Sequence, residues 1–259
     1  MKFSANLSML FTEKTLIERF QAAKKCGFDA VEIQFPYELS AETINQELKQ
    51  HQLQLVLFNV DADDLLQGGE GLAAVPEKKE KFRDAVAQTV EYAKTLKPKF
   101  INILPGCCFD QRRLEDYQNT FQANLEFAVT TFAALGITTV FEAINTHDMP
   151  GFLIHSSKQM LQVLEAVNHP KLLMQYDIYH MRRMDEDIVE FINQHAEKIG
   201  HIQFADDPGR GQPGSGDIDF SGLFSAIDQA GYQGWVGAEY KPVGVTEAGL
   251  AWFTGNVFG

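Results

Sequence analysis

The sequence predicts an α/β fold, a single-domain (β/α)8 TIM barrel spanning 1–259, and three observations carry that expectation. Strand-like and helix-like stretches alternate from end to end, eight of each, which is the pattern of a parallel sheet with crossover helices. The turns that leave the helices are short and the loops that leave the strands are long, as in a barrel with its working loops on one face. The chain length, 259 residues, matches the ~250 residues of one such barrel.

In order, the strand candidates are 2–6, 29–34, 53–58, 99–104, 137–142, 171–177, 200–205 and 234–239. Helical patterns occupy 13–26, 40–51, 77–97, 111–135, 156–168, 185–196, 219–230 and 246–253. Gly27, Gly136 and Gly231 follow the first, fourth and seventh of these, where a C-cap glycine belongs. Each leads almost at once into the next strand, as in GFDAVEI, GITTVFE and GYQGWVG. The loops 59–76, 143–155 and 206–218 are rich in Gly, Pro and Asp and leave strands. A doubly wound open sheet would call for GxGxxG after the first strand, and none is there.

Composition narrows the function. Apolar residues make up 45% and charged residues 22%, ordinary for a globular protein with a large core. The formal net charge of −13 argues against a nucleic-acid partner, because phosphate binding needs a basic surface. It suits a site that concentrates a divalent cation, although solvated helix faces account for most of it. The N-terminal MKFSANLSMLF is short for a signal segment and is interrupted by Asn6. No apolar run reaches the ~18 residues of a membrane span. Cys26, Cys107 and Cys108 do not form a disulfide framework, so a reducing, cytoplasmic setting is expected. Apolar helix faces on the outside of a barrel would favour a homo-oligomer.

Four strand candidates run straight into an oxygen ligand: TTVFEA at Glu142, KLLMQYD at Asp177, HIQFA at Gln203 and GWVGAE at Glu239. A barrel brings the C-terminal ends of all its strands to one face, so these four can meet. Three carboxylates and an amide carbonyl are hard ligands that suit Mg2+ or Mn2+. Converging carboxylates repel and take up protons unless a cation compensates them. Each alone reads as an ordinary acid at a strand end; the four together read as a metal site.

Around them lie substrate-binding candidates. His180, just beyond Asp177, is placed to bind a substrate oxygen or to bridge to a carboxylate. Arg210, in the 206–218 loop, can clamp a substrate carboxylate. Lys241 is a second rim cation, or else a charge partner of Glu239. His201 points to the same face as Gln203 but deeper, which favours a satisfied core histidine. His147 and His155 flank a Pro-Gly turn. Phe11, Phe35, Tyr37 and Trp252 are packing residues of which one or two would wall the pocket.

The segments FSANLSMLF, INTHDMPGF, QYDIYHMRRM, GHIQFADDPGRGQPGSGDI, GWVGAEYKP and TEAGLAWF resemble the hydroxypyruvate isomerase family over nearly the whole chain. That family lies among the xylose-isomerase-like barrels, with relatives that are sugar 3-epimerases and 2-oxo-tetronate isomerases. The resemblance implies a (β/α)8 barrel that interconverts hydroxypyruvate and tartronate semialdehyde. It implies acid/base catalysis by Glu142 and Glu239, and metal positions at Glu142, Asp177, Gln203 and Glu239. Many of the epimerases carry histidine where this chain has Gln203, which implies weaker metal binding, or none in some members. LPGCCFDQRR and NVDADD depart from the family pattern in loops that should face the pocket, so 2-oxo-tetronate stands as the alternative substrate. A sugar-acid-binding barrel without turnover is the alternative of another class; it has no need of two opposed glutamates.

Overall fold

In the computed structural model, which describes residues 1–253, eight parallel strands form a closed barrel in sequence order. They are β1 (Lys2–Asn6), β2 (Ala30–Ile33), β3 (Gln54–Asn59), β4 (Phe100–Ile103), β5 (Thr138–Glu142), β6 (Leu172–Asp177), β7 (Ile199–Phe204) and β8 (Trp235–Ala238). Closure comes from β8 pairing back onto β1, with Ser4 opposite Gly237. Around the barrel lie α1 (Leu16–Lys25), α2 (Ala41–His51), α3 (Lys79–Leu96), α4 (Leu114–Ala133), α5 (Ser157–Val167), α6 (Ile178–Arg183), α7 (Ile188–His195) and α8 (Phe220–Gln229). Side chains of Ser40, Ser156, Asp187 and Asp219 accept backbone N–H groups at the starts of α2, α5, α7 and α8, satisfying donors a helix cannot satisfy itself.

Two helical expectations need correction. The stretch 246–253 is not a helix: it makes a 3-10 turn at Thr246–Gly249 and then irregular turns. Buried Thr246 is committed to the Phe11 N–H at 2.7 Å, Gly249 weakens any helix there, and Trp252 is drawn into an aromatic cluster instead. Conversely, the residues just after Asp177, read as loop, form α6. Asp177 caps it, with Oδ1 accepting from Tyr179 N and His180 N.

The barrel interior is divided along its axis. Its N-terminal half is plugged by Ala30, Val56, Leu57, Phe100 and Val140, with Leu173 and Trp235 against them. Toward the C-terminal ends the inward residues turn polar and stay buried: Asn6, Glu32, Asn102, Gln175, Asp177 and Gln203. Register shifts fall beside two of these, between Val31 and Glu32 against β3 and between Met174 and Gln175 against β7. An extra residue in one strand re-aims its neighbours. In β7 that residue is Gly200, where a Cβ would sit 2.9 Å from Val140 Cγ1.

Outside the sheet, Phe204 is buried at the centre of an aromatic cluster. Its ring lies 5.1 Å from Trp252, 5.5 Å from Phe224 and 5.7 Å from Phe220, distances at which offset and edge-to-face pairs attract. Its carbonyl accepts the Glu239 N–H at 3.1 Å, so the packing of β7 also seats a site residue. Phe204→Ala should lower unfolding stability by about 3–5 kcal/mol, read from the urea midpoint at unchanged slope; a loss below about 1 kcal/mol would show that the cluster collapses to fill the space.

Candidate active site

Glu142 ends β5, Asp177 ends β6, Gln203 lies one residue before the end of β7, and Glu239 directly follows β8. All four are buried. Glu142 and Glu239 line one cavity of about 480 Å³, together with His180, Arg210, Lys241 and Tyr179. Its other wall is apolar, with Phe35, Leu66, Leu104, Ile144 and Met149. Of the aromatic residues singled out in the sequence, Phe35 reaches the cavity. Tyr37 instead bonds the Asn59 carbonyl, and Trp252 bonds the Tyr240 hydroxyl.

Local structure aims each group. Because Asp177 Oδ1 is held by the start of α6, Oδ2 is turned inward, buried and without a hydrogen bond. One turn on, His180 Nδ1 lies 2.7 Å from Asn145 Nδ2. Asn145 Oδ1 meanwhile accepts the N–H groups of His147 and Asp148, so the asparagine donates and the His180 proton sits on Nε2. That Nε2 faces Asp177 Oδ2 at 3.6 Å and Glu142 Oε1 at 3.8 Å. His155 bonds the Phe152 carbonyl and His147 is exposed on the same loop.

Arg210 is delivered by a loop knotted on one buried side chain. Asp206 accepts four backbone N–H groups, from Asp207, Gly214, Gly216 and Ile218. Arg210 takes a left-handed backbone, φ 56°, and its carbonyl accepts the Lys241 N–H at 2.7 Å. Its Nη2 then reaches Glu239 Oε2 at 2.7 Å and lies 3.8 Å from Asp177 Oδ2, with the guanidinium over the Tyr179 ring. Lys241 is exposed at the rim, and among the described residues its ammonium makes no ion pair. The two cations therefore differ: Arg210 is inside the carboxylate cluster and Lys241 at its edge.

Gln203 is a bridge in this arrangement. Its Nε2 donates to Glu32 Oε1 at 2.8 Å and to Glu239 Oε1 at 3.2 Å, while its carbonyl accepts from Gln175 Nε2 at 2.6 Å. Glu239 Oε1 also accepts from Asn6 and Gln34. Glu142 Oε2 accepts from Gln175 at 2.8 Å and Asn102 at 3.3 Å. The sequence reading missed Glu32, Asn6, Gln34, Asn102 and Gln175, since each lies on a strand or strand end with no local motif to mark it.

Burial and mutual repulsion dominate the electrostatics. Burial, then the charges of Glu239 and Asp177, raises the Glu142 carboxyl well above its ordinary range. Burial pushes Glu239 up to about 7 against the pull of Arg210. Asp177 is raised by burial, with Arg210 and the α6 amides opposing. For His180, burial and then the Arg210 charge lower the imidazole well below its usual value, leaving it neutral. Carboxyls crowded in this way fit a divalent cation, and the orphaned Asp177 Oδ2 is a free ligand atom. Glu142, Asp177 and His180 bring side-chain atoms within 4.8 Å of one another, a group that could hold a metal ion, with His180 joining only by giving up its Nε2 proton.

Comparison with known proteins agrees with this architecture. The family described as Xylose isomerase-like TIM barrel matches residues 20–255. Hydroxypyruvate isomerase of Escherichia coli (strain K12) is 42% identical over 252 residues, 97% of this chain and 98% of that protein. A 2-oxo-tetronate isomerase of Pectobacterium atrosepticum is 36% identical over 97% of this chain and 96% of its own length. Among solved structures, one titled AP endonuclease, family 2 from Brucella melitensis superposes with TM-score 0.93 at 38% identity, covering 98% of both chains. A 3-keto-D-glucoside 4-epimerase from E. coli superposes at 0.81 with 20% identity over 97% of this chain and 98% of that one, a likeness of fold alone. The chain belongs to the xylose isomerase-like TIM barrel family and, within it, to the hydroxypyruvate isomerase family. It is an enzyme, an isomerase. Among the described residues no helix is long and apolar enough to cross a membrane.

The raised carboxyls set a pH dependence. With Glu239 raised to about 7, the folded protein holds a proton that the unfolded chain releases above about pH 4, so the contribution of that carboxyl to stability falls as pH rises through about 7, and the raised Glu142 and Asp177 act in the same direction. Mn2+ should therefore raise the melting temperature more at about pH 8 than at about pH 5, relative to EDTA. Equal shifts at both pH values in calorimetry would show that the carboxylates do not hold the ion.

Proposed function

We propose that the protein interconverts hydroxypyruvate and tartronate semialdehyde, with Glu142 and Glu239 moving the protons. The observation that carries this reading is that pair of buried glutamates on one cavity, Glu239 raised to about 7 and Glu142 raised well above the ordinary carboxyl range, so that one can take a proton while the other holds one. The E. coli hydroxypyruvate isomerase relative supports the substrate.

The reaction moves hydrogen between adjacent carbons. A base takes a proton from C3, an enediolate forms across C2 and C3, a proton returns at C2, and the hydroxyl proton passes from O3 to O2. Glu239 is the group better stabilised as an anion, since Arg210 and three side-chain amides bond it. It is the base toward C3, and Glu142, bonded by neutral amides alone, carries the proton that goes to C2. His180 donates from Nε2 to a substrate oxygen. Arg210 and Lys241 receive the substrate carboxylate, which lets an acidic protein accept an anion. A divalent ion, Mg2+ or Mn2+, held by Glu142, Asp177 and Glu239, would supply electrostatic stabilisation of the enediolate charge. Gln203 joins that set only by giving up its bond to Gln175.

The size of the cavity favours a second substrate as well. At about 480 Å³ with an apolar wall, it has room beyond a three-carbon acid, and 2-oxo-tetronate adds one carbon to the same reacting unit. A relative bearing that activity is 36% identical. The three free cysteines, with the Cys107 thiol pushed up to about 11 by burial, suit a reducing compartment such as the cytoplasm.

Purified protein in D2O should exchange the C3 proton of hydroxypyruvate, followed by NMR. Glu142→Gln and Glu239→Gln should each lower kcat by about 10²–10⁴-fold. Exchange confined to 2-oxo-tetronate would move the substrate and keep the chemistry, whereas exchange that survives both substitutions would remove the glutamates from the mechanism.

A further inference from the structure

Beneath Glu239 lies a fourth carboxylate that the proposed chemistry does not use. Glu32 is 0% exposed. Its Oε2 meets His201 Nε2 at 2.5 Å and Ser4 Oγ at 3.3 Å. Its Oε1 accepts from Asn6 Nδ2 at 3.1 Å and Gln203 Nε2 at 2.8 Å. Its Oε1 meets two amide NH2 groups and its Oε2 a hydroxyl and an imidazole nitrogen, the donor set that a carboxylate, which only accepts, calls for. Space for it is made by Gly237, where a Cβ would fall 2.5 Å from Glu32 Oε2.

Stability does not call for a charge there. The neighbouring half of the barrel is filled with apolar side chains, and taking a charge out of water costs free energy that an apolar side chain of similar volume does not. What the charge does is visible in the amides. Asn6 Nδ2 and Gln203 Nε2 each carry two hydrogens, one directed to Glu32 Oε1 and the other to Glu239 Oε1. An ionised carboxylate only accepts, so neither amide can turn its oxygen toward Glu32. With its NH2 fixed, Gln203 must aim its carbonyl at Gln175, whose own NH2 also bonds Glu142 Oε2. One hydrogen-bonded path thus runs from Glu239 through Gln203 and Gln175 to Glu142, with its polarity set from below.

We propose that Glu32, paired with His201, is a positioning residue for the isomerisation: it fixes the direction of the Asn6 and Gln203 amides, and through them the carboxylates of Glu239 and Glu142. Glu239 Oε1 is thereby saturated with donors, and Oε2 is the edge left to Arg210 and the substrate. The proposal rests on the isomerase reading of the site.

The test is Glu32→Gln beside Glu32→Asp, with kcat, KM, thermal midpoint and the side-chain amide NMR signals of Asn6 and Gln203 measured on each. A carboxamide keeps the volume but lets either face turn toward the amides, so kcat should fall by up to about 10²-fold, as expected for a displaced reacting group. KM should stay within about threefold, since the lost interaction is one of geometry at the reacting atoms rather than of binding. The thermal midpoint should hold, and one hydrogen of each amide should exchange faster with water. Glu32→Asp, which keeps the charge, should restore part of kcat. If Glu32→Gln keeps kcat within about twofold, or loses it only in step with the thermal midpoint, Glu32 is a structural residue and the proposal fails. If the wild-type protein turns over neither hydroxypyruvate nor 2-oxo-tetronate, the isomerase reading fails and takes the proposal with it; the amide signals then still report whether Glu32 orients the two side chains.

Discussion

Four carboxylates share the inside of this barrel, and the need to compensate them governs what surrounds them. A buried, uncompensated charge costs several kcal/mol even after relaxation. Each of the four is met differently. Glu32 has His201 and three neutral donors. Asp177 has the first N–H groups of α6 on one oxygen and none on the other. Glu239 has Arg210 and three amides. Glu142 has amides alone. The compensation is graded: Glu32 meets donors on both oxygens, whereas burial raises the carboxyls of Glu142, Asp177 and Glu239 despite their partners.

The loops supply what the strands cannot. A strand end can present a carboxylate, but an arginine that points back into the barrel needs a turn of definite shape. Asp206 provides it by gathering four backbone N–H groups under the 206–218 loop, which brings Arg210 over Tyr179 and onto Glu239. A short helix after β6 does the corresponding work for His180. Its ring is pinned from the other side by Asn145, a residue of the β5 loop. The neutral imidazole and the charged guanidinium therefore arrive from different loops and meet over the same carboxylates.

Most of the barrel was legible in the residue pattern. Eight strands and seven helices fall within a few residues of the ranges read from alternation and glycine punctuation. The failures have local causes. The stretch 246–253 has a helical pattern of apolar residues, yet Thr246 and Trp252 are claimed by partners far away in the chain. The residues after Asp177 read as loop because six residues are too few to show a period; the capping aspartate was the available signal. Glu142, Asp177, Gln203 and Glu239 were legible because a parallel barrel puts every strand end on one face. His201 was readable as a core histidine, but its partner Glu32 lies 169 residues away.

What the sequence determined by itself was therefore periodic or positional: the barrel, the face that carries the site, and which side chains end its strands. These follow from local alternation and from a topology that leaves the chain little choice. Only the tertiary structure decided how those side chains are paired. Whether Gln203 offers its carbonyl or its amide, whether Arg210 or Lys241 enters the cluster, and which glutamate keeps a cation beside it all depend on hydrogen bonds between distant strands. Such bonds are set by direction and by distances of a few tenths of an ångström, and no spacing along a chain encodes them.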